Sequence, residues 1–375
     1  MAKESGIGLF RRLVAALAEV VAALAVVVEA AVVWFAVTLF LHGLCALVAG
    51  LGLVVRVWAK PVKTSRRHVG LMALGLALLG FGGTFVGREI AGHFRRHSTR
   101  LESCYLRSGP LGVVLRAGNV VPEADLALLA AKAARLARAL PAERMAEVTG
   151  LLRDEYGAMR DEEPWAHLGN VAAVGLAPSA SGHFFRYLPL GYTSDKRWPL
   201  LLFLHGEAGN LALFPRLWAE FADRRGFVVV CPTYDRGRWG EEAAVELAGA
   251  ALDDTLEACS IDEQRIYLVG FSAGAAEGWT LLDARPQTFR GFVSIASSRF
   301  SAAWQSFKIK TLPVLFLHGS KDRVSPPACS RKLHQSLAQL RRPGTLVELP
   351  EEDHFLLLRS MDKVTAEMWR WMEGL

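Results

Sequence analysis

The run Tyr267-Leu268-Val269-Gly270-Phe271-Ser272-Ala273-Gly274-Ala275-Ala276 constrains this chain more than any other stretch. An apolar strand pattern at 265–269 enters Gly-Phe-Ser-Ala-Gly, and an alanine-rich helical pattern leaves it. A strand that turns directly into a helix leaves its serine on a sharp bend, hydroxyl projecting above the sheet. Only small neighbours let strand and helix pack so closely, and Gly270 and Gly274 tolerate that crowding. In a chain with 34 glycines the pattern arises by chance often enough that its surroundings must carry the argument.

Those surroundings alternate strand with helix from Ser181 onward, the signature of an α/β fold. The sequence predicts strands at 183–188, 199–205, 227–231, 265–269, 291–296, 313–318 and 345–349. Several are continuous apolar runs, as in parallel strands buried on both faces. Helices fit at 211–225, 241–259, 273–283, 327–341 and 361–373. The short interval between 296 and 313 leaves little room for a lid, so little or no cap is expected.

Two later strands end in polar residues of a particular kind. His318-Gly319-Ser320-Lys321-Asp322-Arg323-Val324 follows one, and Pro350-Glu351-Glu352-Asp353-His354 follows the other. Taken singly, Asp322 also fits a turn aspartate and His354 a surface histidine beside an acidic cluster. Together with Gly-Phe-Ser-Ala-Gly they resemble the α/β-hydrolase superfamily, whose triad runs Ser, Asp, His in chain order. The resemblance assigns Ser272 as nucleophile, His354 as its base and Asp322 as the acid that orients the imidazole. It also implies an oxyanion hole built from the backbone N–H of Ala273 and of Glu207, in His205-Gly206-Glu207-Ala208-Gly209. Glu207 departs from the family pattern, which favours a small or apolar residue there.

Residues 186–192 and 198–206 resemble the opening of esterases related to poly(3-hydroxybutyrate) depolymerases and to the phospholipase/carboxylesterase group. The likeness covers 181–375 and implies hydrolysis of an acyl ester, of a small molecule or a lipid, without metal or organic cofactor. The same triad also serves acyltransferases and serine peptidases, and the scaffold hosts non-catalytic binding modules. Tyr234, Arg236, Trp239 and Phe300 fall on loops, where they fit either a border of the cleft or a structural role.

The rest of the chain is of another kind. Across 13–55 the only charged side chains besides His42 are Glu19 and Glu29. As one helix that stretch is roughly 65 Å long, about twice a bilayer core. Two transmembrane spans are expected at 30–55 and 69–87, with 13–28 a third span or an interfacial helix. Basic residues before, between and after these runs balance the two orientations, so the side on which the catalytic domain lies stays open. The net charge of +6 gathers beside apolar segments, and no Lys/Arg block is built for nucleic acid. Five scattered cysteines have neither metal-ligand spacing nor a disulfide framework. Oligomeric state has no signal. Between membrane segment (1–100) and catalytic domain (181–375), residues 101–180 read as a helical connector. Its two amphipathic helices, 123–140 and 142–159, are broken at Pro141, with their charges expected in solvent.

Overall fold

The computed structural model describes residues 100–106, 123, 124, 127, 128, 131, 141–165, 183–206, 211–233, 242–297 and 311–375. The expected membrane spans lie outside these residues. Among the described residues no helix is long and apolar enough to cross a membrane.

An eight-stranded sheet organises the rest. Its strands are β1 (Leu101–Tyr105), β2 (His183–Tyr187), β3 (Trp198–Leu204), β4 (Val228–Pro232), β5 (Ile261–Phe271), β6 (Gly291–Ile295), β7 (Val314–Gly319) and β8 (Gly344–Leu349). They lie in the order β1-β2-β4-β3-β5-β6-β7-β8. The β1–β2 and β2–β4 pairs are antiparallel, and every pair from β4 to β8 is parallel. The helices are α1 (Ala142–Asp161), α2 (Leu213–Arg225), α3 (Glu242–Ala258), α4 (Ala273–Ala284), α5 (Ala328–Gln339), α6 (Leu356–Arg359) and α7 (Met361–Glu373).

Burial explains the strand sequences. All seven residues of β3, Trp-Pro-Leu-Leu-Leu-Phe-Leu, are buried, because helices cover the sheet on both faces. Successive side chains alternate between the two layers. Leu201 and Phe203 join a core with residues of α1, α2 and α7, while Leu200, Leu202 and Leu204 join one with residues of α3, α4 and α5. Each helix supplies a matching stripe: Val364, Met368 and Met372 recur every four residues along α7.

The segment expected as a connector supplies parts of this architecture. β1 is the edge strand, in register with β2 from Leu101 opposite Tyr187 to Tyr105 opposite His183. Glu102 pairs with Arg186 across the two strands, and Ser103 Oγ lies 2.9 Å from His183 Nε2. A five-residue strand carrying Glu, Ser and Cys has too little apolar alternation to be read as one. In α1, which starts after Pro141 as expected, Met145, Val148, Leu152, Tyr156 and Met159 are buried in the same core as Leu201 and Phe203 of β3.

Candidate active site

Ser272 sits between the last residue of β5 and the first of α4 with φ 53° and ψ −111°. A non-glycine residue at that φ is strained, and the surroundings hold it there. Its N–H donates to Ile295 O at 2.9 Å, and its carbonyl accepts from Ala276 N at 3.0 Å. The close packing expected of the glycines is severe. A Cβ on Gly274 would stand 2.2 Å from Leu204 O, and one on Gly270 would stand 2.5 Å from Gly274 O. The helix therefore starts hard against the end of β3, with the serine at the rim.

His354 reaches this serine from the loop after β8. Its Nε2 is 3.1 Å from Ser272 Oγ, and its Nδ1 is 2.8 Å from Asp322 Oδ2. A Cβ on Gly319, at the end of β7, would meet Glu352 O at 2.5 Å, so the loops bearing acid and base touch backbone to backbone. Asp322 is 4% exposed and Ser272 and His354 keep 7% and 8%, so all three side chains are buried.

The electrostatics favour an ionised Asp322. Burial pushes its carboxyl up, but hydrogen bonds from His318, His354 and the amide of Ser325 outweigh this and hold it down at about 2. Oδ1 accepts from Val324 N at 2.9 Å and Ser325 N at 2.7 Å. His318 Nε2 is 3.3 Å from Oδ2 and 2.7 Å from Ser325 O. Facing a carbonyl, that nitrogen must carry a proton, which leaves Nδ1 to accept from Ser330 Oγ at 2.7 Å. The carboxylate is thus fully occupied and aimed at one imidazole.

Of the two expected oxyanion donors, Ala273 opens α4, where the first amides have no partner within the helix. Glu207 lies outside the described residues, as do Tyr234, Arg236, Trp239 and Phe300. His205, two residues before Glu207, is fully buried, stacked on Phe214, and donates from Nδ1 to Gly206 O at 2.6 Å. Burial drives its pKa down to about 3 against that hydrogen bond, so the ring is neutral and fixes the start of the loop.

Three acidic residues given no role by the sequence motifs hold these loops. Asp353, beside the base, faces Arg144 Nε of α1 at 2.9 Å, and Arg144 Nη2 donates to Glu351 O at 3.0 Å. Glu352 binds Arg359, Ser360 and Lys363. Glu123, expected in solvent, is instead buried. It accepts from Ala212 N at 2.8 Å, Leu213 N at 3.1 Å and Tyr156 OH at 2.7 Å. Its oxygens satisfy the first amides of α2, while burial raises its pKa against the lowering pull of those amides and of the Tyr156 hydroxyl. No local pattern announces this, because the amide partners lie about ninety residues away.

Residues 241–371 match the family model described as phospholipase/carboxylesterase. This segment contains Ser272, Asp322 and His354, and the sheet around it has the strand order and crossovers described above. The chain carries an α/β-hydrolase domain. Among curated proteins, that domain is similar to NocK of Nocardia uniformis subsp. tsuyamanensis, named an esterase, with 27% identity over 141 residues, 34% of this chain and 41% of the relative. It is also similar to the bifunctional acetylxylan esterase/xylanase XynS20E of Neocallimastix patriciarum, with 28% identity over 132 residues, 34% of this chain and 19% of the relative. The chain therefore spans less than half the length of either. Among solved structures, a thermostable esterase aligns with TM-score 0.44 and 20% identity, covering 52% of this chain and 60% of that one. The LpqC poly(3-hydroxybutyrate) depolymerase from Bordetella parapertussis aligns with TM-score 0.40 and 21% identity, covering 50% and 83%.

Proposed function

We propose that this chain is a serine hydrolase that cleaves an acyl ester through an acyl-enzyme formed on Ser272. The observation that carries the reading is the continuous hydrogen-bond path from Ser272 Oγ through His354 to Asp322, with the serine on a strained turn. His354 Nε2 takes the hydroxyl proton as Oγ attacks the acyl carbon, and Asp322 stabilises the imidazolium through Nδ1. The Ala273 amide, with Glu207 as second donor, binds the oxyanion, a contribution on the order of 3 kcal/mol per donor. The alcohol then leaves with the proton from His354. Water attacks the acyl-enzyme with His354 again as base, and the acid departs.

The N-terminal runs at 30–55 and 69–87 support a membrane anchor for this domain, since uncharged stretches of such length suit a bilayer. The test of the catalytic reading is labelling by a fluorophosphonate probe with mass-spectrometric mapping of the adduct. We expect the adduct on Ser272, with the released acid as product when an ester is supplied. An adduct on another residue, or an acylated amine or alcohol as the main product when acceptors are present, would replace hydrolysis by a different assignment.

A further inference from the structure

Beside the triad, the described residues line a half-open cavity of about 240 Å³, and every side chain that they contribute to it is apolar. Its position is set by chain neighbours of the reacting groups. Phe271 precedes Ser272, Phe355 follows His354, and Leu211 and Leu213 follow the loop that begins at His205. The Phe271 ring centroid is 5.2 Å from that of His354, so the cavity wall and the base are in contact.

The opposite wall comes from outside the segment that matches the esterase family. Ala127, Ala131 and Leu152 of the 123–161 region close it. Ala127 and Ala131 are four residues apart in helical conformation and so share one face. Methyl groups there leave open space that larger side chains would fill. The region is also pinned to the site, through Glu123 on the first amides of α2 and Arg144 on the loop of His354.

We infer that this cavity receives the acyl chain of the substrate and that helices preceding the hydrolase core set its length. The inference rests on the ester reading above. Among the described residues the lining has no hydrogen-bonding side chain, so it disfavours a charged or hydroxylated group and accepts hydrocarbon. A cavity of about 240 Å³ takes a hydrocarbon chain longer than an acetyl group. The substrate class is therefore an ester whose acyl group is a hydrocarbon chain longer than acetate.

The experiment uses the full chain in lipid nanodiscs and p-nitrophenyl esters from acetate to dodecanoate. We expect kcat/KM to rise about fourfold per added methylene, to an optimum well beyond acetate. Ala131→Phe should cut the octanoate-to-acetate ratio at least tenfold, and the milder Ala127→Val should shift the optimum to shorter chains. A flat or falling profile, or a ratio unmoved by either variant, overturns the acyl pocket while leaving the ester reading in place. If no ester is turned over but a fluorophosphonate still labels Ser272, the ester reading fails instead. The pocket is then judged by labelling rates: a faster octyl than ethyl fluorophosphonate, slowed by Ala131→Phe, supports it, and equal rates overturn it.

Discussion

Two regions build this site by opposite means. The segment 241–371 contributes Ser272, Asp322 and His354, the proposed nucleophile, acid and base, from short motifs at strand ends. The region 123–161 contributes no member of the triad. It holds the site through Glu123 on Ala212 and Leu213, Arg144 on Glu351 and Asp353, and a wall of small side chains. The serine's turn is local, because a strained turn must be made by adjacent residues. Support is long-range, because it needs only a side chain that arrives at the right place.

If that division is right, damage to the first region should strike turnover and damage to the second should strike stability or fine positioning. The largest effect belongs to Ser272→Ala and His354→Ala. Each should lower kcat by roughly five to six orders of magnitude with the fold intact, because triad members act as a unit. Circular dichroism alongside ester turnover checks this, and near-normal rates in either variant would break the comparison at its centre.

Asp322→Asn should cost about 10⁴-fold in kcat by presenting the wrong hydrogen-bond partner to His354. Asp353→Asn, next to the base in sequence but facing Arg144, should cost less than tenfold. Reversal of that order would hand the acid's role to Asp353.

In the supporting region, Glu123→Ala strands two buried amides and the Tyr156 hydroxyl. It should lower stability by about 2 to 3 kcal/mol in denaturant titrations. Tyr156→Phe should cost about 1 kcal/mol, and the two changes should be clearly non-additive because they share one hydrogen bond. Simple additivity would mean that the carboxylate is not held as described.

Asp322 makes the stability of the first region depend on pH. Its carboxyl is held at about 2 in the fold, below the ordinary 3.8. A depressed pKa means that the unfolded chain binds the proton more tightly. The stabilisation is therefore fully present above about pH 4 and is lost as pH falls towards 2, roughly 2 kcal/mol in all. Asp322→Asn should remove this component, so the stability gap between it and the parent should change across that window. A constant gap would contradict the assignment.

The smallest effect is expected for Arg144→Ala, a several-fold loss in kcat with KM little altered, from looser placement of His354. Arg144→Lys should restore part of it, since a cation still faces Asp353. A stability loss with kcat unchanged would make the arginine merely structural.

Legibility in the sequence follows the same line. The order β3, turn, β5, Ser272 was readable because buried parallel strands are apolar runs. It was readable too because a serine between Gly270 and Gly274, at a junction of strand and helix, suits a crowded turn far better than a regular element. The predicted strand positions fall within a few residues of β2 to β8, with β5 longer at its start since Asp262, Glu263, Gln264 and Arg265 carry no apolar signal. β1 was missed, and Glu123 was misplaced in solvent, because neither the pairing of Leu101 with Tyr187 nor the capping of α2 leaves a local pattern.

By itself the sequence determined the alternation of strand and helix, the small residues around Ser272 and the chain order of serine, aspartate and histidine. These depend on periodicity and on steric limits that act between adjacent residues. Only the tertiary structure decided that Asp353 meets Arg144, that His318 donates to Asp322, and that residues 123–161 wall a cavity beside the serine. Each of those depends on where segments distant in the chain come to rest, which packing against the shared core sets and no local pattern encodes.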